Sequence, residues 1–321
     1  MKSSALARIA LTASVLTGLL LLRETPGSAQ GTLPQFNGPL SSQPLALSSD
    51  DAFLIVANPD LDTVSIFDVR NDRNRRLAQI PVQNEPNSVA FTPDTRTAYV
   101  ANTVSGTVSV IRLNLSNGSI QRPTQHIKVG TEPHSLVMAP NGTKLYVANG
   151  RSHDVSVIDT ATNTVVKTIA GVGLEPRGLA ISNDGDQSDN DETLYVTNLL
   201  AAPIAGKLDG ADDAKEGLVA VIATSTDTVT ATVKINPIAD TGFKATGDAL
   251  ARVAPGDPTV PANFTFTTGA YPNQLNGIAI KGNFAFIPNT GASPNGPVRF
   301  DVNTQSLLSV VNRVTNQDAG R

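Results

Sequence analysis

The sequence has no cysteine and no tryptophan, and it is poor in histidine, aromatic residues and charge. Of its 321 residues, three are histidine, 4% are aromatic and 16% are charged. The absence of cysteine excludes disulfide bonds, thiolate metal sites, a cysteine nucleophile and c-type haem attachment. The absence of tryptophan argues against WD repeats, whose signature requires it.

The charge and histidine content exclude further classes of function. The formal net charge of −4 is weak and acidic, so no electrostatic feature favours nucleic acid or an anionic membrane as a partner. His126, His134 and His153 show neither the i, i+4 helical spacing nor the His-x-His strand spacing of metal ligands. We therefore expect no zinc or copper site.

The N-terminus has the features of a secretory signal peptide. Lys2 and Arg8 precede an apolar stretch at residues 9–22, and small residues lead to Ala29. This pattern predicts a signal peptide over residues 1–29, with an uncleaved anchor as the alternative, followed by a linker over 30–42. No second stretch has membrane length, so we expect an extracytoplasmic protein (periplasmic, cell-surface or secreted) with no stable membrane span after processing.

The rest of the chain is a repeat. An asparagine after a β-branched, apolar segment recurs at Asn58, Asn102, Asn149, Asn198 and Asn289, with about 44 to 49 residues between the first four. Each copy has four short stretches of strand-like alternation separated by Gly, Asn and Asp turns. The pattern predicts an all-β fold, a β-propeller of four-stranded antiparallel blades with about five blades present.

The copies set the expected domain boundaries. We place blades at approximately 43–84, 85–131, 132–174, 175–236 and 273–312. Two insertions, 199–216 and 237–272, interrupt the period and are rich in Ala, Gly, Pro and Asp. Long loops on a rigid scaffold often carry function, although surface loops also lengthen at little cost in stability.

The strand Tyr195-Val196-Thr197-Asn198 and its variants at 99–102 and 146–149 resemble the YVTN-repeat family of propellers, a lactonase-like or surface-layer type. The resemblance implies a ring of seven blades. We therefore expect this chain to be a truncated part of a seven-bladed ring, with a five-bladed ring or closure by another chain as alternatives. An open array would leave apolar blade faces bare, which favours self-association.

A second recurring feature is a Glu-Pro-x turn before the first strand of several blades. First strands line the central channel of a propeller, so polar side chains here predict a ligand site at the channel mouth, for a small molecule or an anion. A purely structural role in the turn is the alternative. The candidate ligand-binding residues are Asn87, Glu132, His134, Glu175, Arg177 and Asn276.

The segment 184–192 contains five carboxylates in nine residues. Alternating Asp with Gly and Asn can offer several oxygens to calcium, and the candidate ligands are Asp184, Asp186, Asp189 and Asp191. The alternative is a solvated hairpin tip. No other cofactor is expected.

Three classes of function remain. The first is a binding scaffold whose partner is a protein, a glycan or a small molecule. The second is a lactonase-like hydrolase with a polar site in the channel, and the third is a propeller partner of a redox enzyme. The sequence has no G-x-S-x-G elbow, P-loop or dinucleotide fingerprint, so the binding scaffold is the first choice.

Overall fold

The structure of the protein is a computed structural model. It describes residues 44–72, 74–114, 119–242, 244–245, 266–294 and 303–320. The predicted signal peptide and the linker over 30–42 lie outside these ranges. Within the described ranges, no helix has both the length and the apolar character needed to cross a membrane.

The described residues form five antiparallel sheets that follow one another along the chain, which confirms the predicted propeller blades. In every one of these sheets four strands pair in sequence order, and the sheets of the second, fourth and fifth blades each have one additional short strand. The first blade also has two single-turn 3₁₀ helices, Pro59–Leu61 and Arg70–Asp72.

The strands of the first three blades match the expected copies. Blade 1 consists of β1 Leu45–Leu47, β2 Phe53–Asn58, β3 Thr63–Asp68 and β4 Arg75–Pro81. Blade 2 consists of β5 Pro86–Phe91, β6 Thr97–Asn102, β7 Thr107–Asn114, β8 Ser119–Ile120 and β9 Gln125–Lys128. Blade 3 consists of β10 Pro133–Met138, β11 Lys144–Asn149, β12 Asp154–Asp159 and β13 Thr164–Ile169.

The last two blades carry the insertions. Blade 4 consists of β14 Pro176–Ile181, β15 Thr193–Asn198, β16 Ala202–Pro203, β17 Lys215–Ala223 and β18 Thr228–Ile235. A separate pair, β19 Lys244–Ala245 and β20 Phe266–Thr267, follows within the second insertion. Blade 5 consists of β21 Tyr271–Asn273, β22 Ala279–Lys281, β23 Phe284–Ala292, β24 Thr304–Asn312 and β25 Gln317–Gly320.

Blade 5 ends later than the sequence predicted. We placed its end at residue 312, but β25 continues the sheet by pairing with β24 and is the fourth strand of this blade. Its innermost edge is also divided, because β21 and β22 both pair with β23 while residues 274–278 between them leave the sheet. The sequence did not predict β25 or the divided innermost edge, because the strand pattern of this copy is weak.

Apolar packing between neighbouring blades makes up the core. Four clusters of buried side chains lie between blades 1 and 2, 2 and 3, 3 and 4, and 4 and 5. In the second strands of blades 2 to 4, successive residues alternate between the cluster on one side and the cluster on the other: Val100 packs toward blade 1 and Tyr99 toward blade 3. A single blade cannot bury both of its faces, so each depends on its neighbours.

In blades 2 and 3, the tyrosine of the repeated strand also forms a hydrogen bond to the following blade. The Tyr99 hydroxyl donates to Asn163 Oδ1 at 2.7 Å, and the Tyr146 hydroxyl donates to Asp227 Oδ1 at 2.7 Å. Asn163 and Asp227 each precede the outermost strand of the following blade and have positive φ, of 54° and 49°. Burial raises the pKa of Tyr99 to about 12, so its hydroxyl stays protonated as a donor.

The outer faces of the two end blades are exposed. Leu45 and Leu47 of β1 are 44% and 41% exposed, whereas their counterparts in blades 2 to 4 are buried. On blade 5, Phe284 is 41% exposed and Leu308 is 50% exposed. Among the described residues, no apolar cluster joins blade 5 to blade 1.

We predict that Tyr146→Phe destabilises the protein by about 1–3 kcal/mol, because it leaves a buried oxygen of Asp227 without its donor. Urea unfolding followed by circular dichroism measures the change. Tyr271→Phe is the matched control: its half-buried ring lies under Lys215, which the substitution preserves. Equal effects of the two substitutions would contradict a role for the Tyr146 hydroxyl.

Candidate functional site at the channel mouth

In blades 2, 3 and 4, a β-bulge at the start of the innermost strand turns one side chain out of the regular pairing. Glu85, Glu132 and Glu175 have φ of 57°, 54° and 51°, an uncommon conformation for a residue other than glycine. Proline follows each of them, and the pairing register then shifts between Pro86 and Ser88, Pro133 and Ser135, and Pro176 and Leu179. Bulges re-aim side chains in this way, and the bulge residues here include Asn87, His134 and Arg177.

Two cavities meet at His134 and Arg177. The first cavity, of about 660 Å³, is also lined by Gln274, Asn276 and Asn289. The second, of about 500 Å³, is also lined by Asn87, Glu132, Glu85 and Lys128. The structure therefore gathers five of the six candidate residues around these two cavities.

Glu175, the sixth candidate, holds the arginines of the site in place. Its carboxylate accepts from Arg177 Nη2 at 3.4 Å and from Arg151 Nη1 at 3.1 Å. Arg151 Nε also lies 4.0 Å from Glu132 Oε1. Sequence reasoning missed Arg151, whose only signal is its position two residues after the repeated asparagine, where no other blade has a cation.

The two cavities differ in charge. Among the residues lining the first cavity, Arg177 is the one that carries charge at neutral pH. The second has cations and carboxylates together, with Lys128 and Arg177 near Glu85 and Glu132. The first cavity therefore suits an anion, and the second suits a polar group of mixed character.

His134 is neutral at physiological pH. Burial, with a further contribution from the positive charge of Arg177, lowers the pKa of His134 to about 4. A neutral imidazole has one donor and one acceptor nitrogen, so this side chain can orient a ligand or accept a proton.

The other two histidines have structural contacts. His153 has φ of 57°, and its Nδ1 accepts from the backbone N–H of Glu175 at 3.0 Å. His126 Nδ1 lies 2.9 Å from Ser109 Oγ within blade 2. His153 thus supports the turn that begins blade 4.

The acidic segment 184–192 divides into a cluster and an anchor. The carboxylates of Asp184, Asp186 and Asp191 are exposed and lie within 4.8 Å of one another. Asp189 lies apart from them: it is buried and accepts from the backbone N–H groups of Asn141 at 2.7 Å and Thr143 at 3.1 Å. Asp189 therefore binds the backbone of the first turn of blade 3. The predicted calcium ligands that remain are Asp184, Asp186 and Asp191.

Comparison with protein families gives one match. The family model described as "Lactonase, 7-bladed beta-propeller" matches residues 28–133, which include blades 1 and 2. The predicted resemblance to lactonase-like propellers is confirmed. No curated protein matches the chain.

Two solved structures give the extent of the structural likeness. A chain of Kuenenia stuttgartiensis hydrazine synthase has a TM-score of 0.59 and 20% identity, with 89% of this chain and 66% of that chain covered. A functionally unknown protein from Desulfotomaculum acetoxidans DSM 771 has a TM-score of 0.40 and 14% identity, covering 82% of this chain and 87% of that chain. The first likeness concerns the fold alone, and this chain spans just under two thirds of that protein's length.

We predict that His134 makes the protein less stable in acid. Its folded pKa of about 4 lies below the ordinary value near 6.5, so protonation favours the unfolded state as the pH falls between these values. In His134→Gln, the loss of stability between about pH 6.5 and pH 4 should be smaller. Urea unfolding across this range measures it, and an equal loss of stability in the wild type and in His134→Gln would contradict this prediction.

Calcium binding by Asp184, Asp186 and Asp191 remains a prediction. At about a hundred times its dissociation constant, calcium should stabilise the fold by about 2.7 kcal/mol. Melting curves in millimolar calcium and in chelator measure this, with Asp186→Asn removing the difference and the exposed Asp60→Asn retaining it. If the wild-type melting curves are identical in the two conditions, the loop binds no calcium and is a solvated hairpin tip.

Proposed function

We propose that this protein is an extracytoplasmic binding module whose channel mouth holds a small molecule bearing a carboxylate or phosphate group. The observation that carries the proposal is the position of Arg177 and His134 at the wall shared by the two cavities. The predicted signal peptide supports the location outside the cytoplasm.

Arg177 is the anion-binding group in this proposal. Its side chain is 20% exposed, and its Nη2 lies 3.4 Å from the Glu175 carboxylate, which fixes its direction. Charge-assisted hydrogen bonds from a guanidinium to a carboxylate or phosphate are strong and directional. The other residues that line the first cavity are uncharged at neutral pH, so they do not repel an anion. Among them, Gln274 and Asn276 can form hydrogen bonds with the ligand.

The second cavity extends the site for the rest of the ligand. Glu132, Asn87 and Lys128 line it, and they suit hydroxyl groups as donors and acceptors. A ligand that spans His134 would thus place its acid group beside Arg177 and its polar body toward blades 2 and 3. Because bulges on a rigid sheet hold Asn87, His134 and Arg177, little ordering accompanies binding.

A lactonase-like hydrolase is the second candidate. The family match over residues 28–133 and the neutral His134 favour it. In this reaction His134 accepts a proton from the attacking water, while Arg177 stabilises the negative charge that develops on the carbonyl oxygen. The ring oxygen then leaves with that proton, and the product is a hydroxy acid.

The proposal predicts that citrate binds and that neutral glucose does not. Arg177→Gln should weaken citrate binding by at least about tenfold, since a charge-assisted hydrogen bond contributes about 1.5–3 kcal/mol. Isothermal titration calorimetry measures this, and Arg122→Gln is the control because Arg122 is exposed and lies outside both cavities. Equal affinity of the wild type and Arg177→Gln would refute an anion site at Arg177.

A lactone assay separates the two candidates. Opening of glucono-δ-lactone followed in a pH-stat, and lost in His134→Gln and Glu132→Gln, would favour the hydrolase. Ligand binding without turnover would favour the binding module.

A further inference from the structure

The segment between β21 and β22 carries an Asn-Gly pair at the wall of the first cavity. Residues 274–278 leave the sheet between these two strands, and Asn276 and Gly277 both line the cavity. Asn276 is exposed, and its side chain forms no hydrogen bond with another described residue. Its amide group can therefore rotate toward the backbone of the next residue.

The residues on either side of this pair are held in place. Leu275 is fully buried, and its carbonyl oxygen accepts from Thr197 Oγ1 at 2.7 Å. Ile278 is also buried and belongs to the apolar cluster between blades 4 and 5. The Asn-Gly pair is thus anchored at both ends, while its own peptide bond lies outside the sheet.

The backbone nitrogen of Gly277 has no hydrogen-bond acceptor among the described residues. A Cβ at this position would meet no atom within 4 Å, so space remains around it. On its other side the backbone approaches blade 4, where a Cβ on Gly178 would lie 2.9 Å from Gly277 Cα. Arg177 directly precedes Gly178, and it lines the same cavity as Asn276.

The two other Asn-Gly pairs of the described residues differ in their backbone contacts. In Asn141-Gly142 the glycine N–H donates to the Ala139 oxygen at 2.8 Å, and in Asn149-Gly150 it donates to the Glu132 oxygen at 2.8 Å. Asn149 is also fully buried. A glycine nitrogen that donates such a bond can react only after the bond opens, which costs free energy.

From this contrast we infer that Asn276 is a site of spontaneous deamidation, which places a carboxylate in the wall of the first cavity. The nitrogen of Gly277 attacks Cγ of Asn276 and forms a five-membered succinimide. The bond from Cγ to Nδ2 breaks, and ammonia leaves with the proton that the glycine nitrogen gives up through water. Water then opens the ring at either carbonyl, which yields aspartate or isoaspartate. Glycine favours ring closure because it has no Cβ and adopts a wide range of backbone angles.

The new carboxylate changes the charge of the first cavity. Arg177 is the lining residue that carries charge there at neutral pH, and a carboxylate at residue 276 offsets that charge and repels an anion. This effect on binding rests on the anion site proposed above, whereas the modification itself does not. The channel mouth therefore loses its affinity for anions as the protein ages.

Peptide mapping by mass spectrometry tests the modification on the full chain, incubated in warm, mildly alkaline buffer. The mass increase of amide-to-acid conversion should appear at Asn276 at least about ten times as fast as at Asn141 and Asn149, which are protected by their hydrogen-bonded glycines. An isoaspartyl methyltransferase should detect isoaspartate at residue 276. In urea the three sites should react at similar rates. Mapping by peptide is needed because further Asn-Gly pairs lie outside the described residues.

Two variants connect the modification with binding. Gly277→Ala keeps the Asn276 amide and has open space for its Cβ, and it should slow the reaction at least about tenfold. Fully modified wild type and fresh Asn276→Asp should each bind citrate at least about tenfold more weakly than fresh wild type. Aged and fresh Gly277→Ala should bind citrate equally well. Isothermal titration calorimetry measures all of these affinities.

Three results would overturn the inference. One is an Asn276 that stays intact in the folded chain. Another is reaction of all three asparagines at equal rates in the folded chain, since the structure would then not select the site. The third is fully modified protein with the citrate affinity of fresh wild type. Fresh wild type that binds no citrate would instead refute the anion site, and the peptide map would still decide the modification.

Discussion

The fold depends on apolar contact between adjacent blades. Each sheet is apolar on both faces, so it is stable only where another sheet lies against it. The strand pattern follows from this constraint: in Tyr-Val-x-Asn the tyrosine packs toward the next blade and the valine toward the previous one. The tyrosine hydroxyl then adds a directional contact at the edge of an interface that would otherwise be purely apolar.

The site depends on this packing indirectly. Neighbouring blades hold the innermost strands on both sides. This packing stabilises the bulges at the starts of the strands, where a glutamate before proline has a left-handed backbone conformation (positive φ). An isolated turn would disfavour that conformation. Those bulges set the directions of His134 and Arg177. The buried environment that results keeps His134 neutral and makes hydrogen bonds from Arg177 stronger than they would be in water.

The sequence predicted the features that repeat and missed those that do not. The strands of blade 3 and the grouping of Asn87, His134 and Arg177 follow from the period, because equivalent positions in stacked blades lie side by side. Arg151 and the anchoring role of Asp189 each occur in one blade, and their partners are distant in the chain. β25 was missed because its residues, Gln-Asp-Ala-Gly, have low strand propensity and join the sheet through pairing with β24.

The bulge also bears on how such a protein changes during evolution. Residues 87, 134 and 177 occupy equivalent places in three blades, yet they are Asn, His and Arg, while a proline precedes each of them. A mutation at these places alters the chemistry of the mouth and leaves both neighbouring blade interfaces untouched. Duplication of a blade therefore adds a position that can diversify independently of the core, and recognition can diverge among repeats that remain nearly identical in their packing.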